Sequence, residues 1–173
     1  VAEGHPLPWR QEDLSARGHA IECRICAEDP ANGFLPSLGG ILLMHEPVGP
    51  GVRLDSGVRA GDEVSMHYDP LLAKLCVVAE DRPAAIERTL RALREFAILG
   101  VATNVAYLAD VLRDEVFASG DLDTGFLGER FAGWTGDASA DHDLALAVAA
   151  VAESEGIARP AADVPGAAAL HAT

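Results

Sequence analysis

Apolar and polar positions alternate from His19 to Ala27. Ile21, Cys23, Ile25 and Ala27 share one face, and Glu22, Arg24 and Cys26 the other. A period of two predicts a half-buried strand. Asp29, Pro30, Asn32 and Gly33 mark a turn, and Gly39-Gly40 a second. Further strands are predicted over 41–46, 52–58, 63–68 and 74–80. Gly49-Pro50-Gly51, Gly61-Asp62 and Asp69-Pro70 separate them. Short strands with glycine-rich turns indicate an antiparallel sheet over residues 19–80.

The period changes after residue 80. Asp81 is suited to cap a helix, with Pro83 in its first turn. Ile86, Leu90, Leu93 and Ala97 form an apolar stripe, and Gly100 is the expected stop. Glu87–Arg91 and Arg91–Glu95 are spaced for ion pairs on the outer face. Thr103 is the expected cap of a second helix with Val105, Leu108 and Leu112 inward. A loop over 120–125 leads to a helical turn at 126–131. Residues 1–17 read as an entry segment with a helical turn within 11–17. The fold class predicted is α+β, an antiparallel sheet of short strands followed by two packed helices.

Composition shifts beyond residue 133. Of the 36 residues at 138–173, 14 are alanine. A helix is expected over 141–153 and a linker beyond Gly156. The chain is therefore expected to divide into 1–133 and 134–173.

Charge narrows the functions. Lys and Arg number 13 and Asp and Glu 27, a formal charge of −14. That balance argues against nucleic acid and against an anionic membrane surface. The longest apolar run, 144–152, is too short for a membrane span of ~20 residues. Hydrophobic residues make up 49 %, which excludes disorder for the chain as a whole. Three cysteines fit a reducing compartment better than a disulfide scaffold. Cys23 and Cys26 are three apart on a strand and point to opposite faces, so the C-x-x-C predicts no metal site.

Candidate chemistry is sparse. The six histidines are scattered singly. The sole lysine, Lys74, follows Ala73 rather than a glycine, so no Walker A loop is present. Arg24 sits mid-strand beside Glu22 and Cys26. A strand-borne guanidinium is a rigid fork for a carboxylate or bicarbonate, but pattern alone favours a salt bridge with Glu22 or another acid. Asp69 and Lys74 read by default as a structural ion pair.

Several ordered blocks add a family to this reading. They are Gly18-His-Ala-Ile-Glu-Cys-Arg-Ile-Cys-Ala-Glu-Asp-Pro30, Phe34-Leu-Pro-Ser37 and Gly49-Pro-Gly-Val-Arg-Leu-Asp-Ser56. Tyr68-Asp-Pro-Leu-Leu-Ala-Lys-Leu75, Glu80-Asp-Arg82 and Gly100-Val-Ala-Thr-Asn104 follow. In order, they resemble the C-terminal domain of biotin carboxylases over 4–131.

The resemblance implies an ATP-grasp enzyme that activates bicarbonate with MgATP and transfers the carboxyl group to biotin. It makes Arg24 the catalytic residue, contacting bicarbonate and biotin and stabilising the oxyanion that develops on the ureido ring. It places Thr124 at the adenine edge, a cofactor-binding position. Arg53 matches a dimer-contact position, although Pro50 departs from an aromatic found nearby in some relatives. Leu38 stands where a proline is usual. The implied cofactors are biotin, ATP and Mg2+, the last two held mainly by an N-terminal part not in this sequence. Implied partners are that ATP-grasp domain, a biotin carrier domain, a second copy of the chain, and the β subunit of the carboxyltransferase.

The segment, starting at Val1, is expected to be an inactive fragment of a cytoplasmic acyl-CoA carboxylase of fatty acid metabolism, acetyl-CoA and propionyl-CoA carboxylases among the class, with the acyl-CoA acceptor not encoded in this sequence. The alanine-rich tail points away from the pyruvate carboxylase branch. Two other readings are a non-catalytic dimerisation or scaffold module and an ATP-grasp carboxylase that does not use biotin.

Overall fold

The computed structural model describes residues 1–136. In chain order its elements are β1 (His19–Cys26), β2 (Glu28–Asp29), β3 (Leu35–Pro36), β4 (Gly39–Gly40), β5 (Leu43–His45), β6 (Val52–Ser56), β7 (Glu63–Val64), β8 (Leu71–Ala79), α1 (Arg82–Glu95), β9 (Ala97–Leu99), α2 (Val105–Arg113), α3 (Glu115–Ser119) and α4 (Phe126–Arg130). A 3-10 turn at Gln11–Asp13 interrupts an exposed entry segment. The helix expected at 141–153 and the linker after it lie outside the described residues.

The mixed class and the antiparallel pairing match expectation, but the strands do not form one sheet. β1, β8 and β6 make a three-stranded antiparallel sheet in the order β1-β8-β6. The others pair off as β2-β3, β4-β7 and β5-β9. The predicted strand over 41–46 shortens to Leu43–His45, because Ile41, 1 % exposed, turns into the interior between β4 and β5.

Alternation builds the main core. Ile21, Cys23 and Ile25 on β1 face inward with Ala73, Leu75, Val77 and Ala79 on β8. Against this apolar face pack α1 and α2, through Ala85, Ala92, Leu93, Ala109 and Leu112. Full burial of an Ile or Leu side chain contributes ~1.5–3 kcal/mol. A second cluster, Ala27, Ile41, Val64, Leu72 and Val101, fills the space under the short strands. A third, aromatic cluster centres on Tyr107, whose ring meets Phe34, Phe131 and Trp134 edge to face.

The helices differ from expectation in three ways, although Asp81 caps α1 as predicted, accepting from the Ala84 N–H at 2.9 Å. The face α1 buries is Ala85, Thr89, Ala92 and Leu93, with Ile86 and Leu90 half-buried at its flank. Small residues let the helix close on the sheet, and the Thr89 hydroxyl satisfies itself on the Ala85 carbonyl at 2.7 Å. The helix ends at Glu95, not at Gly100. Phe96 drops into the core, and Ala97–Leu99 pair with β5 instead of continuing the helix. Finally, the cap position of α2 is Asn104, one residue after Thr103, and its side chain does not cap the helix.

Candidate functional site

The outer face of the three-stranded sheet carries the charged side chains that the alternation forces outward. Arg24 on β1 lies directly across from Lys74 on β8, and Lys74 across from Asp55 on β6. One step along, Glu22 faces Cys76, and Cys76 faces Arg53. The acids of this face have their own partners. Asp55 pairs with Arg53 at 3.2 Å. The Glu22 carboxylate accepts from the Cys76 thiol at 3.6 Å, and that sulfur accepts from Arg53 at the same distance.

Among the described residues Arg24 is left without an ion-pair partner. The salt bridge to Glu22 that pattern alone favours is not formed; Glu22 stands opposite Cys76 and its carboxylate takes that thiol instead. Among the described residues neither Arg24 nor Lys74 makes an ion pair. Lys74 does not reach Asp69 either. The Asp69 carboxylate instead accepts from the Leu71 N–H at 2.7 Å, closing the turn before β8. Directly opposed residues have their Cβ atoms ~4.5–5.5 Å apart, and like charges there cost stability. An exposed guanidinium beside an unpaired ammonium is chemically an anion site, suited to a planar oxyanion or to an oxygen gaining negative charge.

Cys23 and Cys26 point to opposite faces of β1. Cys23 is in the core, and burial, then Cys76 and Glu22, push its thiol up to about 12. Cys26 is half-buried on the opposite face, its thiol raised by burial and Glu28 against the pull of Arg24. Among the described residues no group of three or more His, Cys, Asp or Glu side chains gathers as a ligand set. The donors present therefore do not fit Mg2+ held by these residues alone.

Thr124 is not brought to Arg24. It is exposed on the turn between α3 and α4, where Asp123 accepts from the Gly125 N–H at 2.8 Å. Arg53 is exposed on β6, and Pro50 lies in the turn that closes where Val52 donates to Gly49 at 3.1 Å.

Sequence reasoning missed Asn104, which is 7 % exposed. Its side chain reaches back to β1, accepting from the Cys26 N–H at 2.9 Å and donating to the Arg24 carbonyl at 3.0 Å. No local pattern announces a contact across about eighty residues. The one signal was its place in the block Gly100 to Asn104. Ser37 of another block joins the same region, its hydroxyl accepting from the Ala102 N–H at 2.9 Å.

Comparison with known proteins shows the family. The family model described as the biotin carboxylase C-terminal domain matches residues 22–129. The chain belongs to the biotin carboxylase C-terminal domain family. The human mitochondrial propionyl-CoA carboxylase alpha chain is 43 % identical over 131 residues, 75 % of this chain and 18 % of the relative. The biotin carboxylase of Allochromatium vinosum is 43 % identical over 127 residues, 73 % of this chain and 28 % of that enzyme. The biotin carboxylase domain dimer of Hydrogenobacter thermophilus 2-oxoglutarate carboxylase, solved with MgADP, ADP and bicarbonate, superposes with a TM-score of 0.71 at 40 % identity. That alignment covers 75 % of this chain and 28 % of the solved one. The chain thus spans under a third of each of these relatives. Within the biotin carboxylase family, the matched region contains β1 from Glu22 onward, β8, α1 and α2, and so contains Arg24, Lys74 and Asn104.

Proposed function

We propose that this segment is the C-terminal domain of a biotin carboxylase and that it supplies Arg24 to the carboxylation of biotin. The observation that carries the reading is the guanidinium of Arg24, exposed on the outer face of β1 across from Lys74, with neither side chain in an ion pair among the described residues. In the proposed reaction Arg24 orients bicarbonate and faces the ureido oxygen of biotin. Negative charge would grow there as the ring nitrogen, its proton passed to a base outside this sequence, took up the carboxyl group and phosphate left the activated bicarbonate. A fixed cation aimed at charge that develops only in the transition state lowers the barrier without reorganising. Lys74 adds a second positive charge on the same face and raises the local concentration of the anion.

MgATP supplies the energy that activates bicarbonate, and the groups that hold it belong to an ATP-grasp portion outside this sequence. Thr124 is proposed at the adenine edge. The biotin arrives on a carrier domain, and a separate carboxyltransferase chooses the acyl-CoA acceptor. The pairing of two copies through the β6 side, near Arg53, and a cytoplasmic setting belong to the same proposal.

The test uses the full-length polypeptide that carries this segment. Bicarbonate-dependent ATP cleavage is followed with and without free biotin. Stimulation by biotin supports the reading. A folded, ATP-binding protein whose ATP cleavage ignores biotin overturns it in favour of a scaffold module or an ATP-grasp carboxylase with another acceptor.

A further inference from the structure

We propose that Asn104 is the positioning residue for Arg24: its side-chain amide locks the free edge of β1 on either side of Ile25 and so fixes where the guanidinium points. The inference rests on the role given to Arg24 above.

β1 is an edge strand of the three-stranded sheet. β8 pairs with one of its edges only, and the register of that pairing slips between Ile25 and Cys26. The ladder is therefore weakest next to the residue whose direction matters most. On the open edge, the Arg24 carbonyl and the Cys26 N–H point the same way, two residues apart, as backbone groups do along one side of a strand. The Asn104 amide answers both, its oxygen accepting from Cys26 at 2.9 Å and its nitrogen donating to Arg24 at 3.0 Å. The Asn104 backbone N–H adds a third bond, to the Cys26 carbonyl at 3.2 Å. One donor and one acceptor on β1 leave the amide a single orientation.

Two further observations separate this from ordinary packing. Asn is among the residues that best cap a helix with its side chain, and Asn104 stands at the cap position of α2 yet makes no side-chain cap. Its amide is diverted to β1. Asn104 is also held on both sides. Its carbonyl accepts the first helical bond of α2, from Leu108 at 3.0 Å, and Ala102 two residues earlier is tied to Ser37 at 2.9 Å. A clamp anchored in a helix and a hairpin transmits no slack to Arg24.

The experiment is a double-mutant cycle in the full-length polypeptide, with kcat/KM for free biotin as the readout and KM for ATP and thermal unfolding measured alongside. Asn104→Asp keeps the acceptor for Cys26 and replaces the donor to Arg24 with a carboxylate. It is expected to lower kcat/KM for biotin about tenfold or more, because the part-buried Arg24 carbonyl loses its donor and meets a carboxylate instead. KM for ATP is expected to stay put. In an Arg24→Ala background the same substitution is expected to change kcat/KM by less than about twofold, since residues that act through each other are not additive. Equal losses in both backgrounds, or a fall in kcat that tracks the folded fraction at constant KM for biotin, would overturn the inference. If Asn104→Asp does not fold, Asn104→Ser, which keeps one hydroxyl donor, runs the same cycle. Should Arg24→Ala itself leave biotin carboxylation at the parent rate, the functional reading fails, independently of Asn104.

Discussion

Arg24 shows how a residue's role depends on what its neighbours are already doing. The alternation at 19–27 sets it on the polar face, and that much is legible in the sequence. That it stays unpaired is not, because Glu22 is engaged by Cys76, a partner 54 residues away chosen by strand register. The opposite case is Asp114, whose carboxylate takes two nitrogens of Arg130 at 2.9 and 2.8 Å and the N–H groups of Val116 and Phe117. The Arg130 hydrogen bond, followed by those backbone donors, holds its carboxyl below the usual range despite some opposing desolvation. A carboxyl depressed in the folded state adds stability above its unfolded value, and that stability disappears as pH falls through the folded one. Urea melts across the acid range are therefore expected to show a shallower loss for Asp114→Asn than for the parent. Equal slopes below about pH 4, the ordinary carboxylate value, would remove Asp114 from the account.

Elements were legible where local chemistry decides and illegible where tertiary contacts do. The Asp81 cap of α1, the strand at 19–26 and the helical turn after Gly125 follow from residue types at short spacing. The end of α1 does not. A stop was expected at Gly100, yet the helix yields at Glu95 because Phe96 gains more from the core than from another turn, and 97–99 find a strand partner in β5. Gly100 has another reason to be glycine. Its φ is +107°, and a Cβ there meets the Gly40 carbonyl oxygen. Gly100→Ala is expected to cost more than about 1 kcal/mol and to loosen the β5–β9 pair first. Thermal melts with hydrogen exchange at Leu42, which donates to the Leu99 carbonyl at 2.8 Å, would show it. Unchanged protection at Leu42 would contradict the assigned strain.

At the scale of the molecule, the α+β class was readable from the change of period at residue 80, but the partition of the strands was not. Five strand pairings in four sheets need registers between strands as distant as β1 and β8 or β5 and β9, which no window of the sequence contains. The site was readable only in part for the same reason. Arg24 and Lys74 are 50 positions apart and meet through β8, and Asn104 joins them through α2. The face they build has no ligand set for a metal and no phosphate-binding loop among the described residues. The 173-residue chain alone is accordingly expected to cleave no ATP, with or without biotin and bicarbonate. Biotin-stimulated release of phosphate from this chain would contradict the division of labour proposed.

The most direct measurement is the rate of free-biotin carboxylation by the full-length polypeptide bearing Arg24→Ala, beside the parent. Loss of one donor to charge that develops in the transition state is worth about two to three orders of magnitude in kcat. A fall of that size, with ATP affinity and thermal stability retained, is the predicted result. Carboxylation at the parent rate would contradict the assignment of Arg24 and, with it, the catalytic role of this domain.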